Sequence, residues 1–187
     1  MKTFILMAAF LTSSVVSSAA ALSYGNTITG TPAWDRPFGL YQYGLSSDGV
    51  GSGYSYAELI VDQTGTYRFI STATGGWDNL TFLYQNSFSA TAQLTNIIAG
   101  NDDYSGQVGL SGFDATLSPN INYFFVTAAY YASTTGYFTN TIAFVDSGED
   151  SPTGTATLVQ SAPEPASIGL LGAAIVAIGL FARKKAI

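Results

Sequence analysis

A chain of 187 residues has room for one ordinary domain and short targeting segments, and at 47% hydrophobic and 14% aromatic it can build a packed core. It contains no Cys and no His, which excludes a disulfide framework, thiol chemistry, Ser-His-Asp or Cys-His nucleophiles and the commonest transition-metal ligand. Between residues 22 and 160 only Arg36 and Arg68 stand against eleven carboxylates, a net charge of −9 that repels nucleic acid.

Residues 1–21 read as a secretory signal peptide. Lys2 supplies the positive start, residues 4–11 a short apolar run, and Ala19-Ala20-Ala21 an A-x-A cleavage pattern, with the cut after Ala21. The apolar run is too short for a membrane anchor, so the general secretion machinery is the first partner expected.

Residues 22–160 carry the alternation of half-buried strands, punctuated by turn signals. In chain order, Ser47-Asp48-Gly49 and Asp62-Gln63-Thr64-Gly65 mark turns. Tyr67 and Phe69 then share a face opposite Thr66 and Arg68. After Thr74-Gly75-Gly76, Leu80, Phe82 and Tyr84 share a face with Leu83 turned the other way. Further turns follow at Gly100-Asn101-Asp102-Asp103 and Ser118-Pro119-Asn120. Residues 122–129 set Phe124 and Val126 against Tyr123 and Phe125, the mark of a central strand covered on both sides. Beyond Thr134-Thr135-Gly136, Phe138, Ile142 and Phe144 oppose Thr139 and Thr141. Residues 147–155 read as a linker or last turn and 155–159 as a closing strand. The pattern predicts an all-β domain, an antiparallel sandwich of seven to nine strands, jelly-roll-like or immunoglobulin-like.

Residues 161–187 are a separate unit. Pro163-Glu164-Pro165 leads into residues 168–182, an uncharged run closed by Arg183, Lys184 and Lys185. Fifteen such residues approach the lower limit for a transmembrane helix, and the basic cluster would stop it on the cytoplasmic side. The two prolines favour an extended, protease-accessible segment just outside the membrane. This order of parts resembles the PEP-CTERM protein-sorting signal. The resemblance implies processing by an exosortase, a transient stay in the inner membrane of a Gram-negative bacterium, and delivery to the cell surface or to an exopolysaccharide or biofilm matrix. A permanent single-span anchor is the alternative.

A second pattern covers residues 56–142. Thr64-Gly65-Thr66-Tyr67-Arg68-Phe69 is followed by Trp77-Asp78-Asn79-Leu80, Ile98-Ala99-Gly100-Asn101-Asp102-Asp103, Gly112-Phe113, Leu117 and Asn122-Tyr123-Phe124-Phe125-Val126. It is similar to the pre-peptidase C-terminal (PPC) type of secreted β-sandwich. That resemblance implies a non-catalytic module, of which some bind calcium or polymer.

Three kinds of chemistry are open to these residues. Asn101, Asp102 and Asp103, with Asp78 and with Asn79 or Asp114 nearby, could supply the oxygens of a Ca²⁺ site, or could simply bond their own turn backbone. Trp34, Tyr41, Tyr54 and Tyr104, among a surplus that includes Tyr43, Tyr56, Tyr130 and Tyr131, could stack on sugar rings, or could fill a pleated surface. Glu58, Asp62, Asp78, Asp102, Asp103 and Asp114 are available to a carboxylate-paired hydrolase, but no catalytic motif accompanies them. The sequence therefore predicts an exported, non-enzymatic surface or matrix protein without catalytic residues. Ca²⁺ is its one candidate cofactor, and a carbohydrate- or calcium-dependent binding module and a secreted hydrolase are the rivals.

Overall fold

The computed structural model describes residues 20–30, 32–146 and 154–159. The expected signal helix, the membrane helix over 168–182, the Pro163-Glu164-Pro165 motif and the Arg183, Lys184, Lys185 cluster lie outside the described residues. Among the described residues there are ten strands: β1 (Leu22–Ile28), β2 (Ala33–Trp34), β3 (Ser52–Val61), β4 (Gly65–Thr74), β5 (Asn79–Gln85), β6 (Ile97–Asn101), β7 (Leu110–Leu117), β8 (Tyr123–Ala129), β9 (Gly136–Asp146) and β10 (Ala156–Leu158). Among the described residues no helix is long and apolar enough to cross a membrane.

Every strand pairing is antiparallel, and four of them are nested: β1 with β9, β3 with β8, β4 with β7, β5 with β6. The nested ribbon rolls up when β4 also pairs with β9 and β5 with β8. The result is one sheet ordered β1-β9-β4-β7 and a second ordered β10-β3-β8-β5-β6, with β2 added on β3. This nesting is that of a jelly roll and decides between the two expected sandwiches. From β3 to β9 only the β5–β6 connection stays within one sheet; the other predicted turns there are arches between sheets.

The facing sides of the sheets form the core in layers. Leu59, Leu83, Tyr123 and Phe125 of the second sheet meet Tyr67, Phe69, Leu117 and Ile142 of the first. Ile28, Trp77, Ala129 and Phe138 form a smaller group at the other end. Between the two apolar layers runs a polar seam that the alternation does not predict. Asn79 Nδ2 donates to Ser71 Oγ at 2.9 Å, Thr81 Oγ1 and Ser111 Oγ bond at 2.7 Å, and Thr127 Oγ1 meets Asn140 at 3.1–3.2 Å. All six residues are buried. They lie at inward positions, where a strand residue must find a partner across the sheets because it has no water.

The second sheet is also covered on its outer face. Leu80, Phe82, Tyr84, Val126 and Ala128 are buried there beneath Trp34, with Phe88 packed against them. Part of this cover is a hairpin-like excursion between β2 and β3, closed by a bridge from Pro37 to Leu45 and by Arg36 N–H donating to Gly49 O at 3.1 Å. Leu80 to Tyr84 of β5 are thus buried on both faces, and the excursion reaches the end of β5 and β6.

Candidate functional site

Asp78 immediately precedes β5, while Asp102 and Asp103 immediately follow β6. Because β5 and β6 are antiparallel, with Thr81 opposite Asn101, these two chain positions meet at one end of the ribbon. Asp78, Asp102 and Asp103 each bring a carboxylate oxygen within 4.8 Å of the others. One oxygen of each carboxylate is buried with no hydrogen-bond partner. A buried anion without donors is costly, and three together repel one another. Burial first, then the neighbouring Asp78 and Asp103 carboxylates, push Asp102 up to about 6 despite the opposing pull of Arg36. Burial and Asp103 likewise raise Asp78 above the usual carboxylate range, again against Arg36.

The frame around the trio is rigid and partly cationic. Arg36 is 1% exposed. Its Nε and Nη2 donate to Tyr130 O at 3.0 and 2.8 Å, its Nη1 donates to Pro37 O at 3.0 Å, and its guanidinium carbon lies 4.5 Å from the Tyr130 ring centre. Tyr130 N–H in turn donates to Asp78 O at 3.1 Å, so one residue ties the arginine to the acidic loop. Arg36 makes no ion pair with the trio; among the described residues the ion pair is Arg68 with Asp114. Gly39 presses the excursion onto Asp102, where an added Cβ would sit 2.8 Å from the Asp102 Cβ. Three carboxylates beside one buried guanidinium leave about two negative charges when all are ionised, the balance a divalent cation would neutralise. Calcium takes six to eight oxygens from carboxylates, carbonyls and water, so the trio would supply part of a shell.

Asn101, the fourth residue expected to ligate a cation, holds the loop instead. Its Nδ2 donates to Gly112 O, its Oδ1 accepts the Asp102 N–H at 2.8 Å, and its carbonyl accepts from Ser111 Oγ at 2.9 Å. Through Asn101 the polar seam fixes the strand end that carries Asp102 and Asp103. Asp114 is committed elsewhere: on the outer face of the first sheet it accepts Arg68 Nε and Nη2, both at 2.8 Å. Asp62 accepts the N–H and hydroxyl of Thr155. Of the six carboxylates considered for paired-acid chemistry, three converge.

The aromatic residues expected to contact carbohydrate do not assemble as a set. Trp34 is 4% exposed, its ring packed edge-on against Phe82 and Phe88 and 5.2 Å from Tyr54. Tyr41 is half-buried and donates its hydroxyl to Ile98 O at 3.1 Å. Tyr104 lies half-buried in the short turn Tyr104–Gly106. Neither Tyr41 nor Tyr104 shares a ring contact with the Trp34–Tyr54 pair. The aromatic surface forms around Tyr54, Tyr56, Phe88 and Phe124 on the outer face of the second sheet, with ring centres 5.1–6.3 Å apart and Tyr56 exposed. The sequence placed Phe124 on one face of its strand together with Val126; Phe88, in the β5–β6 loop, carried no periodic signal.

No curated protein matches this chain. Among solved structures it is similar to the Yersinia pseudotuberculosis-derived mitogen, at 14% identity and TM-score 0.39 over 78% of this chain and 99% of that one. It is also similar to the cowpea mosaic virus top component, naturally occurring empty particles, at 12% identity and TM-score 0.29 over 82% and 93% of the two chains. Residues 161–185 match the PEP-CTERM protein-sorting motif. With Pro163-Glu164-Pro165 inside that match, this chain is an exosortase-sorted, exported protein whose jelly roll precedes its sorting signal.

Proposed function

We propose that this protein is a non-enzymatic component of the cell surface or of an exopolysaccharide matrix, where its sandwich acts as a structural or adhesive module. The observation that carries this reading is the sorting motif at residues 161–185, which addresses the chain outward after a membrane-anchored intermediate. The fold suits such a role. Nested antiparallel pairing buries β5 on both faces, and the acidic surface keeps secreted copies soluble and apart. The test is the mass of the mature protein from its host and from an exosortase-deficient strain. Loss of residues 1–21 and of the tail in the host, with the tail kept in the deficient strain, supports the reading. Retention of residues 168–187 in both makes the chain a membrane-tethered periplasmic domain instead.

A second reading, a calcium-dependent binding module, is favoured by the convergence of Asp78, Asp102 and Asp103 within 4.8 Å. A bound Ca²⁺ would relieve the repulsion among the three carboxylates and stiffen the β5–β6 end against the Arg36 excursion. The aromatic surface of Tyr54, Tyr56, Phe88 and Phe124 is then the place to seek a polysaccharide, since flat rings stack on sugar faces. The same trio is also what a paired-carboxylate hydrolase would need. Glycan retention without cleavage, lost in Tyr56→Ala and in chelator, supports a calcium-dependent binding module. Glycan cleavage lost in Asp102→Asn would identify a hydrolase.

A further inference from the structure

The two sheets end in four edges, and three of them are occupied. Along β3, β2 takes Ser52 and Gly53, and β10 takes Leu59, Ile60 and Val61. On β6 the Tyr41 hydroxyl donates to Ile98 O at 3.1 Å. On β7 the Asn101 Nδ2 donates to Gly112 O. The fourth edge is β1, which among the described residues pairs with β9 alone.

β1 is a firm and regular strand. All seven of its residues pair with β9 without a shift of register. Ile28 is buried, Leu22 and Tyr24 pack on the core, and the Tyr24 hydroxyl accepts from Asn140 Nδ2 at 3.0 Å. The usual guards of an edge, a proline, a charged side chain or a bulge, are missing from it. Residues 136–142 of β9 beside it are uncharged too. The net charge of −9 that keeps copies apart elsewhere is therefore carried away from this edge.

The alternation of the ladder fixes which backbone groups face outward. The Ala73 N–H donates to Gly109 O at 2.8 Å, on the β7 side of β4, so Thr72 and Thr74 turn their backbone groups to β9. Their partners Thr139 and Tyr137 therefore bond β4, while Phe138, Asn140 and Ile142 bond Asn26, Tyr24 and Leu22 of β1. Ser23, Gly25 and Thr27 are left with N–H and C=O groups directed at the open side. The Thr27 N–H agrees, since it donates to the side-chain Oδ1 of Asn26 at 2.8 Å.

Such a row is completed by another extended strand. A second copy of β1, laid antiparallel about a two-fold axis at Gly25, uses all three outward residues. It sets Gly25 against Gly25 and Ser23 against Thr27, and each facing pair exchanges two backbone bonds. Gly25 puts no side chain over the seam, Ser23 and Gly25 are exposed, and no charge meets its like.

We propose that β1 is a self-association edge: two copies pair through it about Gly25 and join their four-stranded sheets into one of eight strands. The interface goes beyond the sorting reading and depends on neither the tail nor a bound cation.

Sedimentation of the mature protein from its host tests the pairing. The mass should double as concentration rises through roughly 1–100 μM. Ser23→Pro removes an N–H that β9 does not use. It should weaken the dimer about tenfold, with a melting temperature under monomeric conditions equal to that of wild type. The register has its own test, since the chain has no Cys. Ser23→Cys chains mixed with Thr27→Cys chains should form a disulfide-linked pair. Neither variant should link to itself, because like positions lie about 14 Å apart across the seam. A monomer throughout that range overturns the proposal. So does a mass that grows past the dimer, which would mean an open head-to-tail contact with a different edge. Self-linking of either Cys variant, or no linking in the mixture, overturns the pairing about Gly25.

Discussion

Asp78 and Asn79 are neighbours at the start of β5, yet they belong to opposite kinds of polar site. Asn79 faces the gap between the sheets and joins a seam of neutral residues, each bonded to one of the other sheet, although the Asn79 Oδ1 is itself buried without a partner. Asp78 joins two other carboxylates against the Arg36 excursion, and there each acid has an oxygen without a donor. Alternation along a strand sends consecutive residues to different faces, so a one-residue step separates cohesion from repulsion. The seam is polar structure that the fold needs. The acidic trio is a local instability that the rest of the fold tolerates, and such a site makes sense when something else completes it.

The sharpest way to break this contrast is to remove one member of each. Asn140 bonds both Thr127 and the Tyr24 hydroxyl while only 1% exposed. Asn140→Ala should cost about 2–4 kcal/mol, because it strands the Thr127 hydroxyl and leaves a cavity. Urea unfolding with an unchanged slope is the measurement, and a cost below about 1 kcal/mol would mean that the seam adds no cohesion.

Calcium should act in the other direction. At about 100 times its dissociation constant, Ca²⁺ should add about 2.7 kcal/mol, read as a rise in melting temperature of roughly 6–10 °C. The rise should vanish in the Asp102→Asn, Asp103→Asn double variant. Equal melting temperatures in Ca²⁺ and in chelator would remove the cation reading.

Without cation, Asp102 makes stability depend on pH with a definite sign. Its carboxyl titrates at about 6 when folded, above the ordinary value near 3.8. The folded state therefore binds this proton more tightly than the unfolded one. Its contribution is fully present below about pH 4 and is lost as pH rises through 6. Thermal scans in chelator should show wild type losing about 1 kcal/mol between pH 4 and pH 7, discounted for partial exposure. Asp102→Asn should flatten that slope and stabilise the domain at neutral pH, the reverse of any seam variant.

Much of the architecture was legible because it depends on parity. Tyr67 and Phe69, the two faces of residues 122–129, and the closing strand within 155–159 all fall where alternation puts them. The Asp78, Asp102 and Asp103 convergence was anticipated as a ligand cluster, since Asp-rich turns beside strand ends are where oxygens gather. What stayed hidden follows from long-range pairing. The partners of Thr81, Ser111 and Asn140 show only when the two sheets are superposed, because the polar group each one meets is 13 to 30 residues away. Arg36 looked like one of two surface cations until the excursion folded it beneath Gly49. Trp34 looked like a sugar platform for the same reason: nothing in its own segment shows that Phe82 and Phe88 will cover it.

The smallest expected effect is also the cleanest control on charge. Arg68 and Asp114 face each other across β4 and β7, joined by two bonds of 2.8 Å, but their side chains are 44% and 40% exposed. Water and salt already solvate both, so the pair should contribute only about 0.2–1 kcal/mol, less at high ionic strength. Its bond to Arg68 holds the Asp114 carboxyl below the usual range. The sign is therefore opposite to that of Asp102: this stability is present above about pH 4 and fades as pH falls below it. Asp114→Asn should weaken the domain slightly at pH 7, most visibly at low salt, while Asp102→Asn strengthens it in chelator. Two aspartates given the same substitution would then move stability in opposite directions, the difference set by whether a donor meets the carboxylate. If both variants shift stability the same way, the unpaired acids at the β5–β6 end are not under repulsion.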